Sequence, residues 1–101
     1  MAFTKVATVG EIVPGKGKQL TVAGKKIALF NVNGAFHAIE DTCPHSGGPL
    51  SEGTVAGTTV SCPWHGADFD IETGAVLGPP AFEGVKSFKV VVDGNDIKVE
   101  V

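Results

Sequence analysis

The sequence predicts an all-β domain, and three observations carry that expectation. Short β-rich segments recur along the chain between turn residues. The 101 residues include 14 glycines and 6 prolines, so regular structure is interrupted often. No segment shows helical periodicity.

The elements follow in order. KVATV (5–9) and QLTVA (19–23) read as strands, and KKIALFNV (25–32) follows Gly24 as a third. Asn33-Gly34 is a two-residue hairpin signal, because both positions tolerate positive φ, and it leads into AFHAIE (35–40). TTVSC (58–62) alternates and runs into the loop CPWHG (62–66). ADFDI (67–71) is short and is followed by a Thr73-Gly74 turn and AVL (75–77). SFKVVV (87–92) and DIKVEV (96–101) flank Asp93-Gly94-Asn95 as a terminal hairpin. In its last strand Ile97, Val99 and Val101 share one face, and Lys98 and Glu100 the other.

Length and composition bound the function. Residues 1–101 read as one domain, large enough to bury roughly two-thirds of its unfolded surface. No apolar run approaches the ~20 residues of a membrane helix. The start, MAFTKVATVG, lacks a secretory apolar stretch, so a cytoplasmic protein is expected. A net charge of −3 argues against nucleic-acid binding. All eight basic residues are lysines, and none lies between Lys26 and Lys86. That interval holds seven acids: Glu40, Asp41, Glu52, Asp68, Asp70, Glu72 and Glu83. They read either as a solvated rim or as an acidic face for a basic partner.

The chemistry lies in two Cys/His pairs. Cys43 and His45 flank Pro44; Cys62 and His65 flank Pro63-Trp64, with sixteen residues (46–61) between the pairs. These are the only cysteines, and one disulfide could join them, but each sits beside its own histidine, which suits metal ligation. Two thiolates and two imidazoles can hold zinc tetrahedrally, yet zinc-finger spacings usually pair like with like. The alternating order suits two metals instead, each loop giving its Cys to one and its His to the other.

CPHSGGPLSEG (43–53) with CPWHGADFDIETG (62–74) resembles the Rieske [2Fe–2S] motif. Gly78-Pro79-Pro80-Ala81 matches that family's proline loop, and the likeness extends over nearly the whole chain. It implies a Rieske-like antiparallel β-sandwich with a cluster-binding subdomain of two ligand loops, about residues 41–82. It also implies one [2Fe–2S] cluster, with Cys43 and Cys62 on an inner iron and His45 and His65 on an outer one. Two neutral imidazoles in place of two thiolates bring the oxidised site from −2 to 0. The potential therefore rises from about −400 mV to roughly −150 to +300 mV.

High-potential members of the family carry a loop-linking disulfide and sulfur-directed Ser and Tyr hydroxyls. The matching positions here are Gly48, Trp64, Ala67 and Phe69, and the chain has no tyrosine. A value near the low end, on the order of −150 mV, is expected.

The remaining residues have quieter readings. Gly47, Gly48 and Gly66 suit tight turns or close approach of backbone N–H to sulfide. Trp64 either packs over the ligand loop or meets a partner. Asp70 and Thr73 fit a structural turn, and His37 an ordinary strand histidine. With His45 and His65 assigned, His37 alone cannot build the mononuclear iron site of a Rieske oxygenase, and no dinucleotide fingerprint is present.

The resemblance therefore implies an electron-transfer protein rather than an enzyme. It would be a monomeric ferredoxin carrying electrons from an NAD(P)H-dependent flavoprotein reductase to a terminal oxygenase. Two alternatives are a small Rieske subunit of a larger reductase, such as assimilatory nitrite reductase, and a zinc-stabilised interaction module without redox function.

Overall fold

The computed structural model describes residues 3–42, 49–64, 66–77 and 84–100. Ten strands lie in the described residues: β1 (Phe3–Thr8), β2 (Lys16–Val22), β3 (Lys25–Val32), β4 (Ala35–Glu40), β5 (Thr54–Ala56), β6 (Thr59–Ser61), β7 (Asp68–Asp70), β8 (Ser87–Phe88), β9 (Val90–Asp93) and β10 (Asp96–Glu100). Two single-turn 3-10 helices, Val9–Glu11 and Leu50–Glu52, complete the elements. Every strand pairing is antiparallel, in three sheets ordered β1-β10-β9, β2-β3-β4-β8 and β5-β6-β7.

The central sheet explains the continuous apolar run in KKIALFNV. Ile27, Ala28, Leu29 and Phe30 are all fully buried. Period-two alternation sends Ala28 and Phe30 to one core, with Leu50, Val60, Cys62 and Phe69. Ile27 and Leu29 face the other core, with Ala7, Ile97 and Val99. Both faces of β3 are covered, so no polar alternation survives. Each large side chain buried this way contributes about 1.5–3 kcal/mol. The first core joins the central sheet to β5-β6-β7, the sheet that carries the second Cys/His loop.

Two expected hairpins form. Asn33 (φ 52°) and Gly34 (φ 91°) connect Val32 to its register partner Ala35. The last hairpin turns through Gly94-Asn95 alone, since Asp93 pairs with Asp96. Ile97 and Val99 are buried on one face as expected, while Val101 lies outside the described residues.

Other boundaries differ from expectation for local reasons. β1 ends at Thr8, not Val9, because the Glu11 carboxylate accepts the Thr8 N–H at 2.6 Å and starts a 3-10 turn. β2 begins at Lys16, where pairing with Asn31 extends it. β6 and β7 are shorter than 58–62 and 67–71, because Cys62 and Ala67 belong to the turn between them. SFKVVV is two strands: β8 pairs with β4, then the chain changes sheets at Lys89 and β9 pairs with β10. AVL makes only an isolated bridge, Val76 to Phe69. β5, a three-residue strand between Gly53 and Gly57, was not expected.

Candidate metal centre

The second Cys/His loop springs from the β6–β7 hairpin. Cys62 leaves β6 and donates its backbone N–H to the Ala67 carbonyl (2.7 Å), while its own carbonyl accepts from Gly66 N (3.0 Å). Gly66 reaches φ 75°, a conformation open to glycine, so it closes the turn. Cys62 is buried beside Leu50, Ala67 and Phe69. Trp64 is exposed at the tip. With 59% of its surface exposed, Trp64 leaves much of its side chain in solvent.

Each end of this loop is also fixed by side chains. Ser61 and Asp68 are register partners, and the Ser61 hydroxyl donates to the Asp68 carboxylate. The turn after β7 is closed by Asp70, whose Oδ1 accepts from Glu72 N (2.8 Å), and by Thr73 Oγ1, which accepts from Ala75 N (3.2 Å). Both residues are structural, as read.

Cys43, His45 and His65 lie outside the described residues, as do Gly47, Gly48 and the segment 78–83 with the expected proline loop. The structure does describe the chain on either side of 43–48. Asp41 is 2 % exposed. Its carboxylate accepts from Ser51 N (2.6 Å), Ser51 Oγ (2.7 Å) and Gln19 Nε2 (2.7 Å). Asp41 is thus no part of an acidic surface, which corrects that expectation: a fully bonded carboxylate is internal structure. Glu40, Glu52 and Glu72 remain exposed.

His37 sits mid-β4 opposite Phe30 and lines a surface cleft of about 630 Å³ with Lys25, Lys86 and Lys89. Among the described residues, no three His, Cys, Asp or Glu side chains gather as a metal site. Sequence reasoning did not single out Asp41, Ser51, Ser61 or Asp68 as anchors of the loops. The available signal was a Ser or Asp within two positions of each cysteine.

Across residues 2–89 the chain matches the family described as Rieske [2Fe-2S] domain. The chain belongs to the Rieske [2Fe–2S] family. Membership brings one [2Fe–2S] cluster as cofactor, and a buried thiol, Cys62, in a glycine-closed turn is chemically suited to holding one of its irons. The Rieske chain is 39% identical over 101 residues to the biphenyl dioxygenase ferredoxin subunit of Pseudomonas sp. strain KKS102, covering 99% of this chain and 93% of that protein. It superposes on the ferredoxin of carbazole 1,9a-dioxygenase from Nocardioides aromaticivorans IC177 with a TM-score of 0.93. Identity there is 30%, with 98% of this chain and 97% of that chain covered. A chain in a complex of reduced oxygenase and oxidized ferredoxin of carbazole 1,9a-dioxygenase gives a TM-score of 0.90 at 33% identity, covering 96% and 91%. These matches bear out the antiparallel Rieske fold. Among the described residues, no helix is long and apolar enough to cross a membrane.

Proposed function

We propose that this Rieske domain is a one-electron carrier, and not itself an enzyme. It takes electrons from an NAD(P)H-dependent flavoprotein reductase and passes them to a terminal oxygenase. The observation that carries the reading is the near full-length likeness to a dioxygenase ferredoxin subunit. It supports a diffusing carrier over a fixed reductase subunit, and a cluster over a structural zinc; the carrier would be monomeric and cytoplasmic.

Residues 1–101 would form one domain, with about 41–82 as the cluster-binding part. Cys43 and Cys62 would hold the inner iron, and His45 and His65 the outer. When bound, the cluster supplies reversible one-electron redox chemistry near the potentials of imidazole-ligated sites. The protein's part is positional. Cys62 is anchored in the core, and Trp64, two positions on, stands at the surface. The buried Ala67 and Phe69 bring no hydroxyl to the sulfur side.

Reconstitution tests the reading. With NADH and a dioxygenase-system reductase, the purified chain is expected to be reduced, and then reoxidised by the oxygenase with substrate present. It is expected to elute as a monomer. Cys62→Ser and His65→Ala variants are expected to abolish transfer, and His37→Ala to retain it. Turnover of the oxygenase at equal rate without this chain contradicts the carrier function.

A further inference from the structure

The described residues on either side of each Cys/His segment are joined by a serine–aspartate hydrogen bond. For the first loop the pair is Asp41–Ser51, which spans 43–48 and is tied to β2 through Gln19. For the second it is Ser61–Asp68, which spans 62–67. The segment 78–83 is bracketed too, by backbone bonds from Leu77 N to Asp68 O (2.8 Å) and from Val85 N to Gly74 O (2.7 Å).

The two pairs are packed against each other at Gly53. This residue ends the 3-10 turn that contains Ser51, with its N–H on the Leu50 carbonyl at 2.9 Å. A Cβ on Gly53 would lie 2.1 Å from the Ser61 carbonyl oxygen, 3.0 Å from Val60 Cγ2 and 3.1 Å from the Leu50 carbonyl oxygen. Two of the three atoms are backbone and cannot rotate away. The missing side chain is what lets the Ser51 turn lie flat on the strand entering the second loop.

Hydrogen bonds along Gln19–Asp41–Ser51 and between Ser61 and Asp68, joined by the backbone contact of Gly53 with Ser61, therefore run across the bases of both loops. We propose that Asp41, Ser51, Gly53, Ser61 and Asp68 are positioning residues that set the two Cys/His loops in register with each other. The inference rests on the cluster reading above. Register matters because each loop supplies one Cys and one His, so each iron draws a ligand from both loops. A shift of one loop against the other strains both irons at once. No disulfide can share this task if both cysteines are ligands, so the polar path at the loop bases is the brace that the described fold supplies.

The test compares Asp41→Asn, Ser61→Ala and Gly53→Ala with Val99→Ala, a cavity variant in the other core. For each protein, unfolding stability, the rate of iron loss to a chelator and the EPR g values of the reduced state are measured. At equal loss of unfolding stability, Asp41→Asn is expected to lose iron about tenfold faster than Val99→Ala, the worth of one hydrogen bond to a charged group, and Gly53→Ala to lose it faster as well. Their g values are expected to shift or broaden, and Ser61→Ala to show the same effects more weakly. If Gly53→Ala does not fold, the Asp41 and Ser61 variants decide. Iron loss that tracks stability alone, with unchanged g values, overturns the proposal. A wild-type protein that binds no iron refutes the cluster reading itself, before any variant is compared.

Discussion

Cys62 and Trp64 lie two positions apart in one turn, yet Cys62 is 3% exposed and Trp64 59%. The turn therefore has a core end and a solvent end. Thiol burial fixes one, and Trp64 stands largely exposed at the other.

Trp64 is expected to carry binding energy toward the redox partner. Trp64→Ala should weaken docking by about 2 kcal/mol, the scale of an interface hot spot, or roughly thirtyfold in Kd. The visible spectrum and the midpoint potential should stay unchanged. Titration of the oxygenase by transfer rate separates the two effects, and wild-type affinity in Trp64→Ala would remove the residue from the interface.

The exposed acids Glu52 and Glu72 should steer association. Each Glu→Gln variant is expected to slow electron transfer by about threefold at low ionic strength, the size of a weak surface pairing. The difference should vanish in about 1 M salt, where screening acts within ~3 Å. Rates that do not change with salt in the wild type would refute an electrostatic docking face.

The midpoint potential should fall near the bottom of the Rieske span, on the order of −150 mV. Ala67 is fully buried, and its carbonyl accepts the Cys62 N–H. Ala67→Ser is expected to add a hydroxyl donor on the sulfur side and raise the potential by about 40 mV, one electron's equivalent of a ~1 kcal/mol hydrogen bond. A wild-type midpoint above zero, or a lower potential in the Ala67→Ser variant than in the wild type, would contradict this reading.

Glu11 gives the expected acid sensitivity away from the site. Its pKa is lowered from 4.5 to about 2, first by the Lys18 ammonium, then by the Thr8 backbone N–H and hydroxyl. The contacts measure 3.0 Å to Lys18 Nζ, 2.6 Å to Thr8 N and 3.1 Å to Thr8 Oγ1. A depressed carboxylate stabilises the fold above its unfolded value of 4.5, and that gain is lost as pH falls toward 2. Glu11→Gln should therefore lower Tm at pH 7, with the gap to wild type closing by about pH 2. An equal gap at both values would exclude this linkage.

Much of the fold was legible because its signals are local. Asn33-Gly34 names a turn by φ alone, and KKIALFNV is long enough to be read without its neighbours. The Lys89 break in SFKVVV was not legible, since nothing in the segment says that β8 and β9 join different sheets. β5 is too short to alternate. At the site, the ligand pattern could be read because metal chemistry limits residue type and spacing. Asp41 could not be told from the exposed acids around it: its burial depends on Ser51 and Gln19, ten and twenty-two positions away.

The most direct measurement is EPR of the dithionite-reduced protein, with iron, sulfide and zinc assayed on the same sample. Two irons and two sulfides per chain are expected, consistent with a [2Fe–2S] cluster. The expected signal is rhombic, with a mean g below that of all-cysteine ferredoxins. No iron, no signal and one tightly bound zinc would contradict electron transfer as the function of this chain.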